Sequence, residues 1–233
     1  MVSESPLKRA KKSGYSSIGL FKFDREFCGD REIAGADEAG RGCLAGPLVV
    51  AAVVFDYSVR EPRKFARLMA GLADSKKLSA PARERLYPLI TRSASRFSII
   101  ISGNRTIDEM GLHNTNLDSL CRSIEVLDPW PEVVLVDGRQ QLPDCAVPHR
   151  PVTGGDDRSA CIAAASVIAK VARDRVMRRL AGFYPEYGFD RHVGYATREH
   201  REAISRHGYC GLHRLSFSLK SPVAGYPDQV ELE

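Results

Sequence analysis

Adjacent carboxylates, Asp37 and Glu38, stand just before a glycine–arginine–glycine segment, Gly40-Arg41-Gly42. Further acids occur at Asp137, after Val133-Val134-Leu135-Val136, and at Asp156-Asp157, after Gly154-Gly155. An acid at the end of an apolar run is costly to bury unless something compensates it. If these points meet, the cluster cannot stay fully ionised without cations. Hard divalent ions such as Mg²⁺ or Mn²⁺ are the natural occupants of all-oxygen sites. Two such ions, ~3.5–4 Å apart, activate a water and stabilise the leaving oxygen of a phosphodiester. Each acid also has a plainer reading. Asp37 or Glu38 would cap a turn, and one of Asp156 and Asp157 is expected to be a helix N-cap. Neighbouring side chains on an unbroken strand point to opposite faces, so Asp37 and Glu38 share a site only where the strand ends or bends.

The stretch Gly40-Arg41-Gly42-Cys43-Leu44-Ala45-Gly46 has the glycine content of a dinucleotide-binding loop. That loop needs a helix after its glycines, with the helix N-terminus facing a pyrophosphate. Here Pro47 and a β-branched run follow instead, which excludes the cofactor reading. Glycines also let a backbone approach a ligand closely. Arg41 between them is a fixed positive fork for a phosphate or a sugar edge. The plainer reading is a tight turn with a solvated arginine.

The elements that must position these residues follow from periodicity. Ile33-Ala34-Gly35-Ala36 predicts a strand leading into Asp37, and Pro47 to Phe55 a buried strand. Helical spacing covers Pro62 to Leu72, and Ser79 is a good N-cap for the next helix. Strands are expected at Phe97 to Ser102, Glu132 to Asp137 and Ala146 to Val152, with a helix over Asn114 to Leu127. A long helix runs from about Arg158 to Leu180. Its first half is small and apolar nearly all round, so its alanines let it press close to a sheet. An aromatic, glycine-rich loop follows, then a helix over about Thr197 to His207. This order predicts a mixed sheet flanked by helices.

The chain has 233 residues, 43% hydrophobic, with a net charge of +5. That suits one α/β domain with a core of its own and leans toward polyanionic partners. The six cysteines form no Cys-x-x-Cys pair and none sits at zinc-site spacing with the histidines. No apolar run reaches the ~18 residues of a membrane span, and the N-terminus lacks a signal-peptide core. A cytoplasmic protein with reduced cysteines is expected. Residues 1–30 are expected to be an N-terminal extension, partly disordered, with 18–27 docking on the body. Residues 221–233 are expected to be an irregular tail.

The motifs together carry a specific resemblance. The stretch Ile33-Ala34-Gly35-Ala36-Asp37-Glu38-Ala39-Gly40-Arg41-Gly42 through Gly46-Pro47 resembles the opening signature of bacterial ribonuclease HII. Further matches are Asp74-Ser75-Lys76-Lys77-Leu78, Val136-Asp137-Gly138, Gly155-Asp156, and Ala163 to Lys170 with Arg173-Asp174. Tyr187-Gly188-Phe189, His192, Gly194-Tyr195, His213-Arg214 and Ser216-Phe217 complete the set, collinear over about residues 31–220.

The resemblance implies an RNase H-like fold, with a mixed five-stranded sheet flanked by helices and a helical C-terminal region. It implies a catalytic domain over 31–220 and Asp37, Glu38, Asp137 and Asp156 as the catalytic, metal-binding carboxylates. The resemblance gives that role to Asp156 rather than Asp157, since Asp156 lies ten residues before Ser166, as in the family. Gly40, Arg41 and Gly42 would read the 2′-hydroxyl at an RNA–DNA junction, the group that distinguishes RNA from DNA. Tyr195 would stack on the deoxyribose past the junction, and Lys76 would contact a phosphate. The expected activity is hydrolysis of the RNA strand of RNA–DNA hybrids and nicking 5′ of ribonucleotides embedded in duplex DNA. Two Mn²⁺ or Mg²⁺ ions would assist, giving 5′-phosphate and 3′-hydroxyl ends. A monomer needing no organic cofactor and no membrane is expected. Arg173 to Arg179 and His213-Arg214 are candidate phosphate contacts.

The chain departs from the family at Gly154, where a lysine is usual, and in the family helix with Ile-Asp-Glu-x-Asn, which reads Ile107-Asp108-Glu109-Met110-Gly111 here. The related ribonuclease HIII has a larger N-terminal domain and another residue between the two glycines, so Arg41 favours the HII type. Two rivals remain. Another RNase H-like nuclease, such as a junction resolvase or transposase core, would also cut all-DNA duplex. A hybrid-binding module without catalysis would bind without divalent ions, and four carboxylates would gain it nothing.

Overall fold

The computed structural model describes residues 17–59 and 62–217. The expectations for residues 1–16 and the 221–233 tail lie outside the described residues. Five strands form one sheet in the order β3-β2-β1-β4-β5. They are β1 (Glu32–Ala39), β2 (Leu48–Asp56), β3 (Arg96–Ser102), β4 (Val133–Asp137) and β5 (Arg150–Val152). β1, β2 and β3 pair antiparallel, whereas β1, β4 and β5 run parallel. The mixed sheet is as expected, although β5 is shorter than the expected Ala146 to Val152.

β2 is apolar at every position but its last and is buried on both faces, which is why its sequence does not alternate. Val49, Ala51, Val53 and Phe55 join one apolar cluster, and Leu48, Val50, Ala52 and Val54 the other. The first face is covered by α6 (Ala160–Ala181), the second by α5 (Leu112–Glu125). α6 is the expected long helix, and its alanines serve the expected purpose. A Cβ added at Gly35 of β1 would come within 2.3 Å of backbone atoms of Cys161 and Ile162, so strand and helix backbones nearly touch.

The remaining helices are α1 (Ser17–Cys28), α2 (Pro62–Leu68), α3 (Ala80–Ser93), α4 (Asn104–Met110), α7 (Phe189–His192) and α8 (Arg198–His207). Ser79 caps α3 as predicted, accepting from the Ala82 N–H. α2 stops at Leu68, short of the predicted Leu72. α1 covers the whole of the expected docking segment, 18–27. Its Leu20 and Phe21 belong to the α6-side core, and the Phe21 ring lies 4.8 Å from that of Phe65. Asp24 of α1 is completely buried. Its Oδ2 accepts the Cys161 N–H at the start of α6 (2.9 Å) and the Tyr57 hydroxyl (3.2 Å). The aromatic, glycine-rich loop packs as a third cluster, in which Tyr187 and Phe189 stack at 5.4 Å.

Candidate active site at the strand ends

The register of β1 and β4 decides where the acids fall. Ala36 pairs with Val136 in parallel, so Asp37 and Asp137 are the next residues along adjacent strands. Both occupy the face toward α6. Ile33 and Ala39 beside Asp37, and Val133 and Leu135 before Asp137, contact that core. Glu38, by the period of two, lies on the other face with Ala34 and Ala36. The strand runs on to Ala39 without a bend at Asp37. The two acids therefore flank the end of the strand instead of sharing one face. Asp37 folds back so that its Oδ1 accepts the Glu38 N–H at 2.7 Å.

Asp156 arrives from a short 3₁₀ turn, Gly155–Asp157, between β5 and α6. The turn is fastened to β4 by the Gly155 N–H, which donates to Asp137 Oδ1 at 2.7 Å. A Cβ on Gly155 would meet the end of the Ile162 side chain at 2.5 Å and Asp137 Oδ1 at 3.3 Å, so any larger residue would make these side chains shift. Neither Asp156 nor Asp157 is the expected N-cap. Ser159 caps α6, accepting from Ile162 N–H, and Asp157 pairs with Lys77. The departure at Gly154 has its own backbone reason: its φ is +61°, a conformation that suits glycine.

The electrostatics are those of an incomplete site. Burial, then the charges of Glu38 and Asp137, hold the Asp37 carboxyl well above its ordinary range; Asp156 adds to this and a Ser166 hydrogen bond opposes it. Burial raises Glu38 as well, opposed by Arg41 and reinforced by Asp137. Asp156 is pushed up to about 6 by burial and by Asp137 and Asp74. Asp37 Oδ2 is buried and has no hydrogen-bond partner. Oxygen donors that are buried, crowded and partly unsatisfied fit a hard divalent cation. Among the described residues, the closest acidic trio is Asp74, Asp156 and Asp157, with one oxygen from each all within 4.8 Å. Asp74 is nearly buried and lies in a motif legible in the sequence, but that motif pointed to Lys76.

Lys76 reaches into this cluster, with Nζ 3.3 Å from Asp156 Oδ2 and 4.0 Å from Asp74 Oδ1. Burial lowers its pKa, but Asp37, Asp156 and Asp74 outweigh that and raise it. Arg41 is exposed, its Nη1 3.3 Å from Glu38 Oε1. Gly42 is exposed too, and a Cβ there would meet nothing within 4 Å. Gly40 differs: its φ is +97°, and a Cβ would fall 2.1 Å from Arg173 Nε.

The loop carrying these residues is templated by buried arginines. Arg173 donates to the carbonyls of Pro47 (2.9 Å), Val193 (2.9 Å) and Ala45 (3.0 Å). Arg214 donates to the carbonyls of Gly46 (3.0 Å) and Arg41 (3.1 Å). Arg173, His213 and Arg214 are all buried, which corrects the expectation that they contact phosphate. Their sequence neighbourhood is basic, but only the fold shows which cations turn inward. Arg175 is exposed and pairs with Glu84.

Tyr195 joins the loop through a backbone bridge to Cys43, and His213 through one to Ala45. The Tyr195 ring is 38% exposed and lies under Lys170 Nζ, 4.9 Å from the ring centre. Arg41, Gly42 and Tyr195 thus ride on one hydrogen-bonded platform at the edge of the acidic cluster.

Comparison with known proteins follows the same lines. The ribonuclease HII family profile matches residues 34–220. A ribonuclease HII of Nocardia farcinica is 48% identical over 185 residues, covering 79% of this chain and 71% of that protein. One from Rhizobium johnstonii is 46% identical over 200 residues, 86% of this chain and 83% of that protein. The structure of a PCNA:RNase HII complex from Archaeoglobus fulgidus superposes with a TM-score of 0.67 at 28% identity. It covers 82% of this chain and 96% of that one.

Proposed function

The chain belongs to the ribonuclease HII family, and from that premise we propose that it nicks duplex DNA 5′ of embedded ribonucleotides as well as cutting RNA–DNA hybrids. It is an endoribonuclease H, a hydrolase. In this reading residues 31–220 are the catalytic unit, with α1 packed onto it. Asp37, Glu38, Asp137 and Asp156 are the carboxylates that hold two Mn²⁺ or Mg²⁺ ions. Divalent cations there supply the positive charge that lowers the pKa of an attacking water and offsets charge on the reacting phosphate.

The chain's own residues do the rest. The Gly155 N–H orients Asp137, and the Glu38 N–H holds Asp37. The Gly40-Arg41-Gly42 backbone meets the 2′-hydroxyl, for which the bare Cα of Gly42 leaves room. Tyr195, partly exposed, stacks on the deoxyribose beyond the junction. Lys76 exchanges its carboxylate partners for a substrate phosphate. The observation that carries this reading is the placement of Asp37 and Asp137 next after the Ala36–Val136 pair of adjacent parallel strands, with the Asp156 turn fastened to Asp137.

The decisive substrate is a DNA duplex with a single ribonucleotide, incubated with Mn²⁺ or Mg²⁺. The expected result is one nick 5′ of the ribonucleotide, leaving 3′-hydroxyl and 5′-phosphate ends, with the all-DNA control intact. Asp137→Asn should abolish the nick and leave the fold unchanged by circular dichroism. Cleavage of all-DNA duplex, or wild-type activity in Asp137→Asn, would overturn the assignment.

A further inference from the structure

A second group of metal-ligating side chains lies on the other side of the sheet. Cys121 and Glu125 sit one turn apart on α5, and Cys145 lies in the loop between β4 and β5. One ligand atom from each falls within 4.8 Å of the other two. Cys121 is buried, while Glu125 and Cys145 are half-buried, so the group has a protein wall and a side open to solvent. The loop is pinned at this point. The Ala146 N–H donates to Glu125 Oε1 (2.9 Å), and the Cys145 N–H to the Leu142 carbonyl (3.3 Å). The Trp130 indole N–H donates to the Glu125 carbonyl (3.0 Å), fixing the end of α5.

We propose that Cys121, Glu125 and Cys145 form a site for a thiophilic divalent cation of the Zn²⁺ type, which clips the β4–β5 loop to α5. Two sulfurs and one carboxylate suit a soft or borderline ion and not Mg²⁺ or Mn²⁺, which prefer all-oxygen sites. Tetrahedral zinc with Zn–S bonds of ~2.3 Å holds its ligand atoms ~3.8 Å apart, inside the separation seen here. Three protein ligands leave the fourth position to water on the open side. Binding releases the two thiol protons to solvent, and the ion is then held by two thiolates and one carboxylate. Without a cation, burial and the nearby Cys145 and Glu125 keep the Cys121 thiol well above its usual range. One Glu125 oxygen keeps the Ala146 hydrogen bond, leaving the other for the ion.

The position gives the clip a structural meaning. The loop begins just after Asp137 and returns through β5 to Gly155 and Asp156. It is therefore the only covalent path from one acid to the other, and fastening it steadies that connection from the α5 side. The sequence hid the site because its ligands combine an i, i+4 pair on a helix with a cysteine twenty residues away.

The test uses the reduced, metal-free full chain titrated with Co²⁺ in excess Mg²⁺, followed by Zn²⁺. One equivalent of Co²⁺ should produce a thiolate-to-cobalt charge-transfer band, and Zn²⁺ should displace it. Cys145→Ser and Glu125→Gln change half-buried residues and should fold. They should weaken the site by more than about 100-fold, beyond the 10–100-fold scale of an outer-shell partner. Cys210→Ser, another half-buried cysteine, and Asp137→Asn should both keep the band. No charge-transfer band in the wild-type chain, or an unchanged band in Cys145→Ser, would overturn the proposal.

Discussion

Arg173 and Arg214 are as deeply buried as Asp37, yet the two regions treat their charges differently. The two arginines donate to backbone carbonyls of the loop that runs from Arg41 to Pro47, Arg173 also to that of Val193, and Arg214 Nη2 is left without a partner. Asp37 accepts one backbone N–H, keeps its other oxygen with no partner, and has its pKa raised by burial and then by the neighbouring acids. A buried cation whose donors hold several backbone carbonyls in place is an element of architecture. A buried charge left unsatisfied is costly unless a ligand completes it. The contrast assigns the arginines to positioning and the acids to binding, although both are buried ions within a few residues of one loop.

The largest effect should come from neutralising an acid. Asp37→Asn should lower cleavage by on the order of 10³-fold or more, the scale of a lost transition-state charge contact. In divalent-free buffer it should also stabilise the fold by about 1 kcal/mol, because a repelled, unpaired charge is removed. A clear fall in stability on urea denaturation would mean that Asp37 is structural, and the comparison would fail. Arg173→Met should do the reverse. It strands the carbonyls of Ala45, Pro47 and Val193 and should cost about 3–5 kcal/mol of unfolding free energy. A loss below about 1 kcal/mol would show that the arginine is not a template.

Asp24 is buried like Asp37 and also has one oxygen without a partner, while its other oxygen accepts from Cys161 and Tyr57. Burial raises its pKa from 3.8 to about 6 despite those bonds. The folded state thus holds the proton more tightly than the unfolded one. The associated stability is fully present below pH ~4, declines as pH rises through ~6 and is absent above, with a span of about 3 kcal/mol. The stability difference between wild type and Asp24→Asn should follow that curve, and a pH-independent difference would refute it. The smallest effect separates two glycines of one motif. Gly42→Ala should leave unfolding within about 0.5 kcal/mol while reducing cleavage at a single ribonucleotide about tenfold, a difference of ~1.4 kcal/mol. Gly40→Ala should destabilise the chain, since its Cβ would collide with Arg173. Normal cleavage by Gly42→Ala would remove that residue from substrate reading.

Much of the architecture was legible because its residues carry strong local signals. β2 is an unbroken β-branched run, α6 is alanine-rich and apolar all round, and Ser79 and Thr197 are N-caps. Periodicity showed neither α4 nor α7, and α4 was legible only through the family resemblance. α4 starts at Gly103 with no side-chain cap and buries only Ile107, and α7 is four residues long within an aromatic loop. Both depend on tertiary contacts. Asp108 of α4, for example, accepts the backbone N–H groups of Leu215 and Ser216, a role that its sequence context does not advertise.

The sequence by itself determined the list of acids, the strand that excludes a cofactor helix after Gly46, and the family resemblance. These depend on residue type and local order, which the chain states directly. Only the tertiary structure decided which acids face one another, because that follows from the parallel register of β1 and β4, a pairing between segments about a hundred residues apart. It likewise decided which basic residues turn inward. Arg173 and Arg175 look alike in sequence, but a helix of period 3.6 sends one to the Pro47 carbonyl and the other to Glu84 at the surface.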